Sequence, residues 1–416
     1  MNTRVARVAF QTLGCKVNRV ESDTVAADLL GRGAELADIS DANVVVINTC
    51  TVTGEADAKA RKAIRQALKA PCAPIVVVTG CLAVLDADAL QSLGDRVVVE
   101  ADKARLSARV ADLLGLDEGP HSHVHHATRT GEHFRTRAML KVEDGCDNFC
   151  TYCIVPYARG VPRGVPLDVA VEEAASLVGA GAREIVLTGI NIGRYRDPQT
   201  SADLATLVEA VAATGIERLR LSSIEPPDLT ARLLGVMAST SAACEHLHVP
   251  LQSGSDSVLA RMGRTYTVSD YAGWIEEARS AIPGLAVTTD VIAGFPEETA
   301  DEHADTLAFI ERSGFSKLHV FRYSARPGTP AAAMGQVAPE ERARRARELR
   351  DLGEKLRERF VAQRLGRDVE VLVESTDAAG CVGTTRDYLR VRVDAPGATP
   401  GETATQVLSR GNVLLG

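Results

Sequence analysis

Short runs of β-branched and other apolar residues alternate with helix-like segments along most of this chain of 416 residues. Over the first 116 residues, the predicted strands are 5–12, 44–48, 75–79 and 97–99, and the predicted helices are 21–31, 55–70, 86–93 and 103–114. Continuous apolar strands between helices are typical of a parallel sheet that is buried on both faces. The sequence therefore predicts an N-terminal α/β domain at 1–116.

A second alternating region follows at 136–360. Its predicted strands are 138–142, 184–188, 218–222, 245–249, 286–292 and 317–322. Helical segments lie between these strands, for example at 168–180, 269–281 and 300–313. Six strand–helix units predict an open (βα)6 version of the parallel barrel, a partial TIM barrel, in which the loops after the strands carry the chemistry.

The remaining segments differ in composition. Residues 117–135 lack apolar periodicity and contain five of the nine histidines. A solvated linker is favoured over a metal site there, because no cysteine or carboxylate has a matching spacing. Residues 361–416 contain alternating segments at 369–374 and 388–393 with glycines between them, which predict a small antiparallel β-barrel of the oligonucleotide-binding kind.

Charge and cysteine content restrict the compartment and the partners. The apolar runs are far shorter than a membrane span, and no secretory segment follows Met1, so we expect a cytoplasmic protein with no membrane partner. The formal charge of −8 argues against attraction of nucleic acid to the whole surface but allows a local basic patch. Nine cysteines in such a chain indicate metal or redox chemistry rather than disulfides. Cys244 and Cys381 have no cysteine neighbours and are interpreted as structural.

Three cysteines stand close together directly after the first strand of the predicted barrel. Cys146, Cys150 and Cys153 form a C-x3-C-x2-C motif, with Tyr152 before the last cysteine. Thiolates at this spacing on one loop can bind three irons of a four-iron cluster and leave the fourth iron open. Zinc is the alternative, with three thiolates and a fourth ligand, but no second cysteine pair is nearby to complete a zinc site.

Three further cysteines, Cys15, Cys50 and Cys81, each follow a predicted strand of the N-terminal sheet. Because the carboxyl ends of parallel strands lie on one edge of a sheet, we expect these thiols to meet there and to bind a second iron–sulfur cluster. Cys72 instead precedes the strand at 75–79. At about 3.3 Å per residue, that strand separates Cys72 from the carboxyl edge by roughly 15–20 Å. We therefore assign Cys81, not Cys72, to the trio.

The C-x3-C-x-aromatic-C motif at the start of a βα barrel resembles the radical S-adenosylmethionine superfamily. In that superfamily the open iron binds the amino and carboxylate groups of S-adenosylmethionine, and reduction cleaves this cofactor to a 5′-deoxyadenosyl radical. The order of an iron–sulfur domain, a radical barrel and a terminal β-domain resembles the methylthiotransferase family over nearly the whole chain. The matching segments are 187–191 (LTGIN), 222–226 (SSIEP), 248–255 (HVPLQSGS) and 289–296 (TDVIAGFP).

The resemblance implies cofactors and partners. It implies two [4Fe-4S] clusters, one for each cysteine trio, together with S-adenosylmethionine. It also implies a low-potential electron donor such as flavodoxin or ferredoxin, and the anticodon loop of tRNA as the macromolecular partner. The terminal module at 361–416 corresponds to the RNA-binding TRAM domain of that family.

Residues around the first cysteine distinguish the branches of the family. The segment 13–18 (LGCKVN) is similar to the branch that modifies N6-threonylcarbamoyladenosine in tRNA. The resemblance therefore implies radical methylthiolation of C2 of N6-threonylcarbamoyladenosine at position 37 of tRNA, a C–H bond that protein acids and bases cannot usefully break. The alternatives are a methylthiotransferase for N6-isopentenyladenosine or for a ribosomal protein, and a non-catalytic iron–sulfur or zinc protein that binds RNA.

Polar residues and a glycine at predicted strand ends or in the cysteine loop are candidates for binding the cofactor. They are Tyr152, Gly189, Asn191, Ser222, Glu225, Gln252 and Asp290. For each of them, capping of a helix or packing in the core is the alternative.

Binding of the RNA backbone requires positive charge. The candidate phosphate contacts are Arg129, Arg135, Arg137, Lys141, Arg159, Arg163 and the helix at 340–367. That helix has nine arginines and one lysine against six carboxylates, so a solvated face with internal ion pairs is the alternative. Lys16, beside Cys15, is a charge that the isopentenyladenosine branch lacks. Contact with the substrate, an effect on the cluster and simple solvation all stay open for it.

Overall fold

The computed structural model describes residues 5–117, 136–377, 380–395 and 397–414. The strands of the N-terminal part are β1 Arg7–Thr12, β2 Glu35–Leu36, β3 Val44–Thr49, β4 Ile75–Gly80 and β5 Val97–Val99. The helices are α1 Lys16–Gly31, α2 Gly54–Leu68, α3 Cys81–Leu85, α4 Ala87–Gln91 and α5 Lys103–Leu114. All strand pairings are parallel, in the order β2-β1-β3-β4-β5.

Both faces of this sheet are covered, as the sequence predicts. Every residue of β3 is buried. Val45 and Ile47 pack in the apolar core on one face, whereas Val44 and Val46 pack in the core on the other. The short strand β2 was not predicted, because its two exposed residues form no apolar run.

The central part contains all six predicted barrel strands, each within one residue at either end. They are β6 Arg137–Lys141, β9 Glu184–Thr188, β10 Arg218–Leu221, β11 His246–His248, β12 Ala286–Ala293 and β13 Lys317–Arg322. Two short strands, β7 Glu143–Asp144 and β8 Arg163–Gly164, form a separate antiparallel pair. The parallel sheets β6-β9-β10 and β11-β12-β13 are joined by bridges from Leu219 to Ala243 and from Ser223 to His248. An open six-stranded parallel array results.

Helices surround this array. They are α6 Val155–Arg159, α7 Leu167–Gly179, α8 Leu204–Ala212, α9 Ala231–Ser239, α10 Asp256–Arg261, α11 Val268–Ala281, α12 Ala300–Ser313 and α13 Pro339–Ala362. Short 3-10 helices lie at Ile192–Arg194, Pro226–Asp228 and Pro330–Ala333. No helix in the described ranges is long and apolar enough to cross a membrane.

Residues along each barrel strand alternate between two environments. One set, which includes Leu140, Leu187 and Leu247, packs in the main apolar core. Because successive side chains point to opposite faces, the other set lines the inside of the open barrel. This inner set contains most of the charged and polar residues of the strands, and some of them contact one another across strands: Arg220 pairs with Glu184 at 2.7 Å, for example. The barrel interior can therefore bind a polar ligand.

The C-terminal part is an antiparallel sheet in the order β16-β15-β14-β17. Its strands are β14 Asp368–Asp377, β15 Gly380–Thr385, β16 Arg390–Val393 and β17 Thr403–Val407. After β17 the chain returns to the outer edge of β16, where the Arg392 N–H donates to the carbonyl of Asn412 at 2.7 Å. An antiparallel terminal β-domain is thus confirmed, while its closure into a TRAM barrel stays a prediction.

This terminal domain packs against the amino ends of the barrel strands. The Arg218 guanidinium donates to the carbonyl of Thr384 at 3.0 Å, and that of Arg220 to the carbonyl of Arg386 at 2.9 Å. The ring of Tyr388 stacks on His246 with centroids 4.5 Å apart. The terminal domain therefore closes the end of the barrel that lies opposite the cysteine loop.

Candidate active site

The loops after three strands of the N-terminal sheet bring three cysteines to one edge. Cys15 immediately precedes α1, Cys50 follows β3, and Cys81 begins α3. Cys50 and Cys81 are buried and Cys15 is exposed. The charges of Cys81 and Cys15 both act on the Cys50 thiol, whose pKa is raised mainly by burial. The structure thus places the three thiols together at the carboxyl edge, and their role as cluster ligands stays a prediction.

Two glycines allow these loops to approach closely. Gly14 has a φ of +95°, and a Cβ atom there would lie 2.7 Å from the Sγ atom of Cys50. Gly80 has a φ of +92°, and a Cβ atom there would overlap the carbonyl oxygen of Thr49. Both positions need glycine, because a larger residue would push the cysteine loops apart.

Cys72 lies at the other edge of the sheet. Its thiol is exposed and donates a hydrogen bond to the carbonyl of Ile39 at 3.3 Å. Cys72 lines a surface cavity together with Arg7 and Asn43. Arg7 is the first residue of β1, and Asn43 directly precedes β3. The amino ends of the strands meet here, so Cys72 is separated from the trio by the length of β4.

The second trio lies on the loop between β7 and α6. The Cys153 N–H donates to the carbonyl of Cys150 at 2.8 Å, which folds the loop into a turn. Gly145, with a φ of +106°, lets the start of the loop pass Val161, whose carbonyl oxygen would overlap any Cβ atom. The Cys146 and Cys150 thiols both act electrostatically on Cys153. The motif therefore forms one compact group of thiols.

The chemistry of these thiols fits an iron–sulfur cluster. Burial raises the pKa of all three, that of Cys153 to about 12, and neighbouring thiols raise the pKa of Cys146 and Cys153 further. Three adjacent thiolates are unfavourable unless a positively charged centre is bound among them. Within the described ranges, no three His, Cys, Asp or Glu side chains are close enough to bind a single metal ion. A four-iron cluster takes one thiolate per iron, so its ligands do not have to meet around a single atom.

The elements that carry the two trios pack against each other. Helix α3, which begins at Cys81, packs against α6, which begins two residues after Cys153. The guanidinium group of Arg159, at the end of α6, interacts electrostatically with Cys81. It also donates to the side chain of Asn18, three residues after Cys15, at 2.6 Å. The cysteine loops of the two domains are therefore in direct contact.

Several buried polar atoms at the ends of β6, β9 and β10 have no hydrogen-bond partner among the described residues. They are Glu143 Oε1, Thr188 Oγ1, Asn191 Oδ1 and Ser222 Oγ. The amide nitrogen of Asn191 lies 3.9 Å from the Sγ atom of Cys146. Because partnerless buried polar atoms cost free energy, such a group beside a cysteine trio indicates that a polar ligand completes it.

Glu143 faces the loop after β9. Its Oε2 atom accepts hydrogen bonds from the N–H groups of Ile190 at 2.9 Å and Asn191 at 2.7 Å. Gly189 is required there, because a Cβ atom would lie 2.8 Å from that carboxylate oxygen. Burial raises the pKa of Glu143 to about 7. A carboxyl group with one free oxygen and such a pKa is suited to bind a cation.

Glu225 and Tyr152 lie on another side of the second trio. Glu225 forms an ion pair with Arg264, and both line a cavity of about 240 Å³ together with Cys150. The Arg264 guanidinium also donates to the Tyr152 hydroxyl at 3.2 Å. The Tyr152 ring packs edge-on against Phe295, with centroids 6.3 Å apart, and its contact with the cofactor stays a prediction.

Gln252 and Asp290 lie on the opposite half of the barrel. Gln252 has a φ of +69°, and its backbone exchanges 2.9 Å hydrogen bonds with Asp290 and Ile292. The Asp290 carboxylate lies 3.1 Å from Nε2 of His248, whose ring meets His319 edge-on with centroids 5.4 Å apart. Asp290 therefore lies on the inner face of the barrel with His248, and the roles of Gln252 and Asp290 in binding the cofactor stay predictions.

The residues predicted to contact phosphate differ in their exposure and in their partners. Arg129 and Arg135 lie outside the described residues, as does the linker from 118 to 135. The prediction for Arg159 is wrong, because its side chain is only 2% exposed and is paired with carboxylates. Arg137 and Lys141 also face carboxylates within the protein, at 2.8 and 2.9 Å. Arg163 is exposed and stays a candidate.

In the arginine-rich helix α13, the described contacts support the alternative of internal ion pairs. Arg345 is buried and pairs with Glu298 at 2.7 Å and with Glu341 at 2.8 Å. Arg344 pairs with Glu341 and Glu348. These arginines attach the helix to the barrel and neutralise its own carboxylates.

Sequence analysis missed Glu143, Arg264 and Asn18. The two-residue period of strand β6 extends to Glu143 and places it on the inner face with Lys141, so this alternation could have identified it. Arg264 follows a turn at Gly263, and no motif or spacing in the sequence indicates that it lies near the cysteine loop. Asn18 was quoted only as part of a motif, because its contacts connect segments far apart in the sequence.

Comparison with known proteins relates the chain to two family models and to curated relatives. Residues 140–310 match the radical SAM superfamily, and residues 7–100 match "uncharacterized protein family UPF0004". The threonylcarbamoyladenosine tRNA methylthiotransferase MtaB of Bacillus subtilis (strain 168) is 38% identical over 407 residues, which cover 93% of this chain and 90% of that protein. The tRNA-2-methylthio-N(6)-dimethylallyladenosine synthase of Endomicrobium trichonymphae is 34% identical, with 88% of each protein covered.

Among solved structures, the radical S-adenosylmethionine methyltransferase TsrM from Kitasatospora setae matches with a TM-score of 0.58. The match covers 79% of this chain and 77% of that chain at 15% identity. At this identity the match shows a shared fold: an α/β radical-SAM architecture.

Proposed function

Because the chain belongs to the methylthiotransferase family of radical S-adenosylmethionine enzymes, we propose that it transfers a methylthio group to C2 of N6-threonylcarbamoyladenosine at position 37 of tRNA. The supporting observation is the packing of α3, which begins at Cys81, against α6, which begins two residues after Cys153. A reaction that unites a radical with a sulfur donor needs both groups beside the same substrate atom.

We assign one [4Fe-4S] cluster to each cysteine trio and S-adenosylmethionine to the polar group beside Cys146. When bound, these cofactors supply the electron, the radical and the sulfur, which no side chain can supply. Glu143, Asn191 and Ser222 offer oxygen atoms without partners, which suit the N–H groups of the amino nitrogen and the hydroxyl groups of S-adenosylmethionine. The glycine at 189 keeps the loop close enough for Glu143 to hold it.

Glu143→Gln should weaken the binding of S-adenosylmethionine by about tenfold or more, the loss expected for one charged hydrogen bond. The amide oxygen can still accept from Ile190 and Asn191, but the negative charge is lost. In the unaltered protein, affinity should rise as the pH increases through about 7, because Glu143 then becomes a carboxylate. The variant should lack this dependence. Equilibrium binding to the reconstituted, unreduced protein measures both effects.

A matched control is Glu217→Gln, because Glu217 is an exposed carboxylate paired with Arg183 on the surface. The control should bind the cofactor normally. Unchanged affinity and an unchanged pH profile in Glu143→Gln would remove Glu143 from the cofactor site.

The surroundings of Lys16 favour a threonylcarbamoyl group over an isopentenyl group on the substrate. The Lys16 side chain is open to solvent, and it forms no hydrogen bond or ion pair with another described residue. Partial burial lowers the pKa of Lys16; the charges of Arg137 and Arg220 act in the same direction, and those of Tyr388 and Glu184 act in the opposite one. An ammonium group that is partly removed from water is stabilised by an anion. The threonylcarbamoyl group carries a carboxylate, whereas an isopentenyl group carries no charge.

The substrate assignment is tested with purified, reconstituted enzyme and two tRNAs, one bearing each modification, followed by mass spectrometry of the nucleosides. We expect the 2-methylthio product from the threonylcarbamoyl tRNA. Lys16→Gln should lower kcat/KM for this tRNA about tenfold, the value of a charge-assisted contact. It should keep its iron content and its cleavage of S-adenosylmethionine.

The control for Lys16 is Arg19→Gln, which alters another cation of α1 that is paired with Asp23 at 3.3 Å. This variant should retain the kcat/KM of the unaltered enzyme. Product from the isopentenyl tRNA alone would contradict the substrate assignment and leave the family assignment intact.

A further inference from the structure

Asn18 connects two of the cysteine loops in the N-terminal domain. It is fully buried, and its Nδ2 atom donates to the carbonyl of Leu13 at 2.9 Å and to the carbonyl of Thr49 at 3.0 Å. Leu13 stands two residues before Cys15, and Thr49 stands directly before Cys50. One amide group thus fixes the backbone of both loops.

Arg159 connects this amide to the cysteine loop of the barrel. It lies six residues after Cys153 and donates to the Asn18 Oδ1 atom at 2.6 Å. It also donates to Asp144 at 2.7 Å and to Glu21 at 3.0 Å. Asp144 stands two residues before Cys146, and Glu21 lies on α1. A single guanidinium group therefore bonds to segments that carry both trios.

These contacts are part of a buried charge network between the domains. Its members are the cations Lys103, Lys141 and Arg159 and the carboxylates Glu21 and Asp144. Burial alone would raise the pKa of Glu21, but the three cations lower it to about 2. Glu21 is therefore charged at neutral pH, and the network holds its geometry by charge-assisted hydrogen bonds.

We propose that Arg159 is a positioning residue that fixes the separation and the relative orientation of the two cysteine trios. The inference rests on the proposed function in one respect: the two trios must serve the same reaction. A guanidinium group is suited to this role, because its planar donors can bond to three acceptors at once. Within the described ranges, no side chain other than that of Arg159 bonds directly both to Asn18 and to the segment before Cys146.

Arg159→Gln should impair the methylthiolation of tRNA without impairing the cleavage of S-adenosylmethionine. Each trio keeps its own cysteines, so iron content and formation of 5′-deoxyadenosine should stay within about twofold of the unaltered enzyme. Methylthiolated product should fall about a hundredfold, since a displacement of about 1 Å can have that effect on a bimolecular arrangement. The number of cofactor molecules cleaved per product should rise accordingly.

A second readout uses the metal-free protein and does not depend on activity. Hydrogen–deuterium exchange should increase at 13–18, 48–50 and 144–159 in Arg159→Gln and remain unchanged in α11. Arg159→Lys keeps the positive charge and hence the balance of the network, but one ammonium group cannot reach all three acceptors. Arg159→Lys should show the same changes to a smaller extent, and it replaces Arg159→Gln in both measurements if Arg159→Gln does not fold.

Arg109→Gln is the control, because Arg109 is an exposed arginine of the N-terminal domain that pairs with Asp112 at 3.6 Å. Unchanged exchange in these segments and an unchanged ratio of product to 5′-deoxyadenosine in the Arg159 variants would overturn the proposal. If the unaltered enzyme methylthiolates neither tRNA, the proposed function fails, while the exchange comparison still decides the role of Arg159.

Discussion

Cys150→Ala should abolish reductive cleavage of S-adenosylmethionine while the protein keeps its fold. The loop contains no cysteine besides Cys146, Cys150 and Cys153, and all three thiolates are needed to bind the three irons that do not face the cofactor. The substitution removes only a sulfur atom from a side chain that is 8% exposed, so it should cost about 1 kcal/mol of stability. The measurement is 5′-deoxyadenosine formed by dithionite-reduced protein.

Cys244→Ala is the matched control, because Cys244 is an equally small thiol buried in the same domain, 1% exposed. It should cleave the cofactor at the normal rate. The N-terminal cluster should persist in Cys150→Ala, leaving about four irons per chain instead of about eight. Robust formation of 5′-deoxyadenosine by Cys150→Ala would defeat the assignment of this trio.

Cys50→Ala should have the complementary effect. Cofactor cleavage should survive, because the barrel trio is intact, but methylthiolated tRNA should fall below detection. Iron should again decrease to about four per chain. Cys50 is buried beside Cys81, and the Gly14 and Gly80 turns that shape its surroundings remain. The measurement compares 5′-deoxyadenosine with methylthiolated nucleoside in the same reaction.

Cys72→Ala provides the control for Cys50, since Cys72 is an exposed thiol at the other edge of the same sheet. Its iron content and product should match those of the unaltered enzyme. Loss of the N-terminal cluster in Cys72→Ala, with Cys81→Ala unaffected, would reverse the choice between these two cysteines.

The sequence was sufficient to predict the parallel parts of the fold, because local apolar patterns define them. Strands β9 and β13 have the predicted bounds, as do α5 and α12. The short strand β2 and the strands β15 and β17 have no such pattern. In β15, Gly383 lies where a Cβ atom would overlap the carbonyl oxygen of Leu372. That requirement depends on the partner strand and is invisible in the sequence alone.

The candidate site was predictable where strand ends define it and unpredictable where distant segments meet. The positions of Cys15, Cys50 and Cys81 follow from the rule that parallel strands share a carboxyl edge. The role of Arg159 does not follow from any such rule. A basic residue near a cysteine loop suggests phosphate contact, and only the packing of α6 against α3 shows that its guanidinium is buried at a domain interface.

The most direct test of the central claim is nucleoside analysis of tRNA from cells with and without this gene. Loss of the gene should eliminate 2-methylthio-N6-threonylcarbamoyladenosine and leave N6-threonylcarbamoyladenosine in its place. Restoring the unaltered gene should return the methylthio form, whereas restoring Cys50→Ala should not. An unchanged level of 2-methylthio-N6-threonylcarbamoyladenosine without the gene, in a cell that has no second methylthiotransferase of this family, would contradict the account.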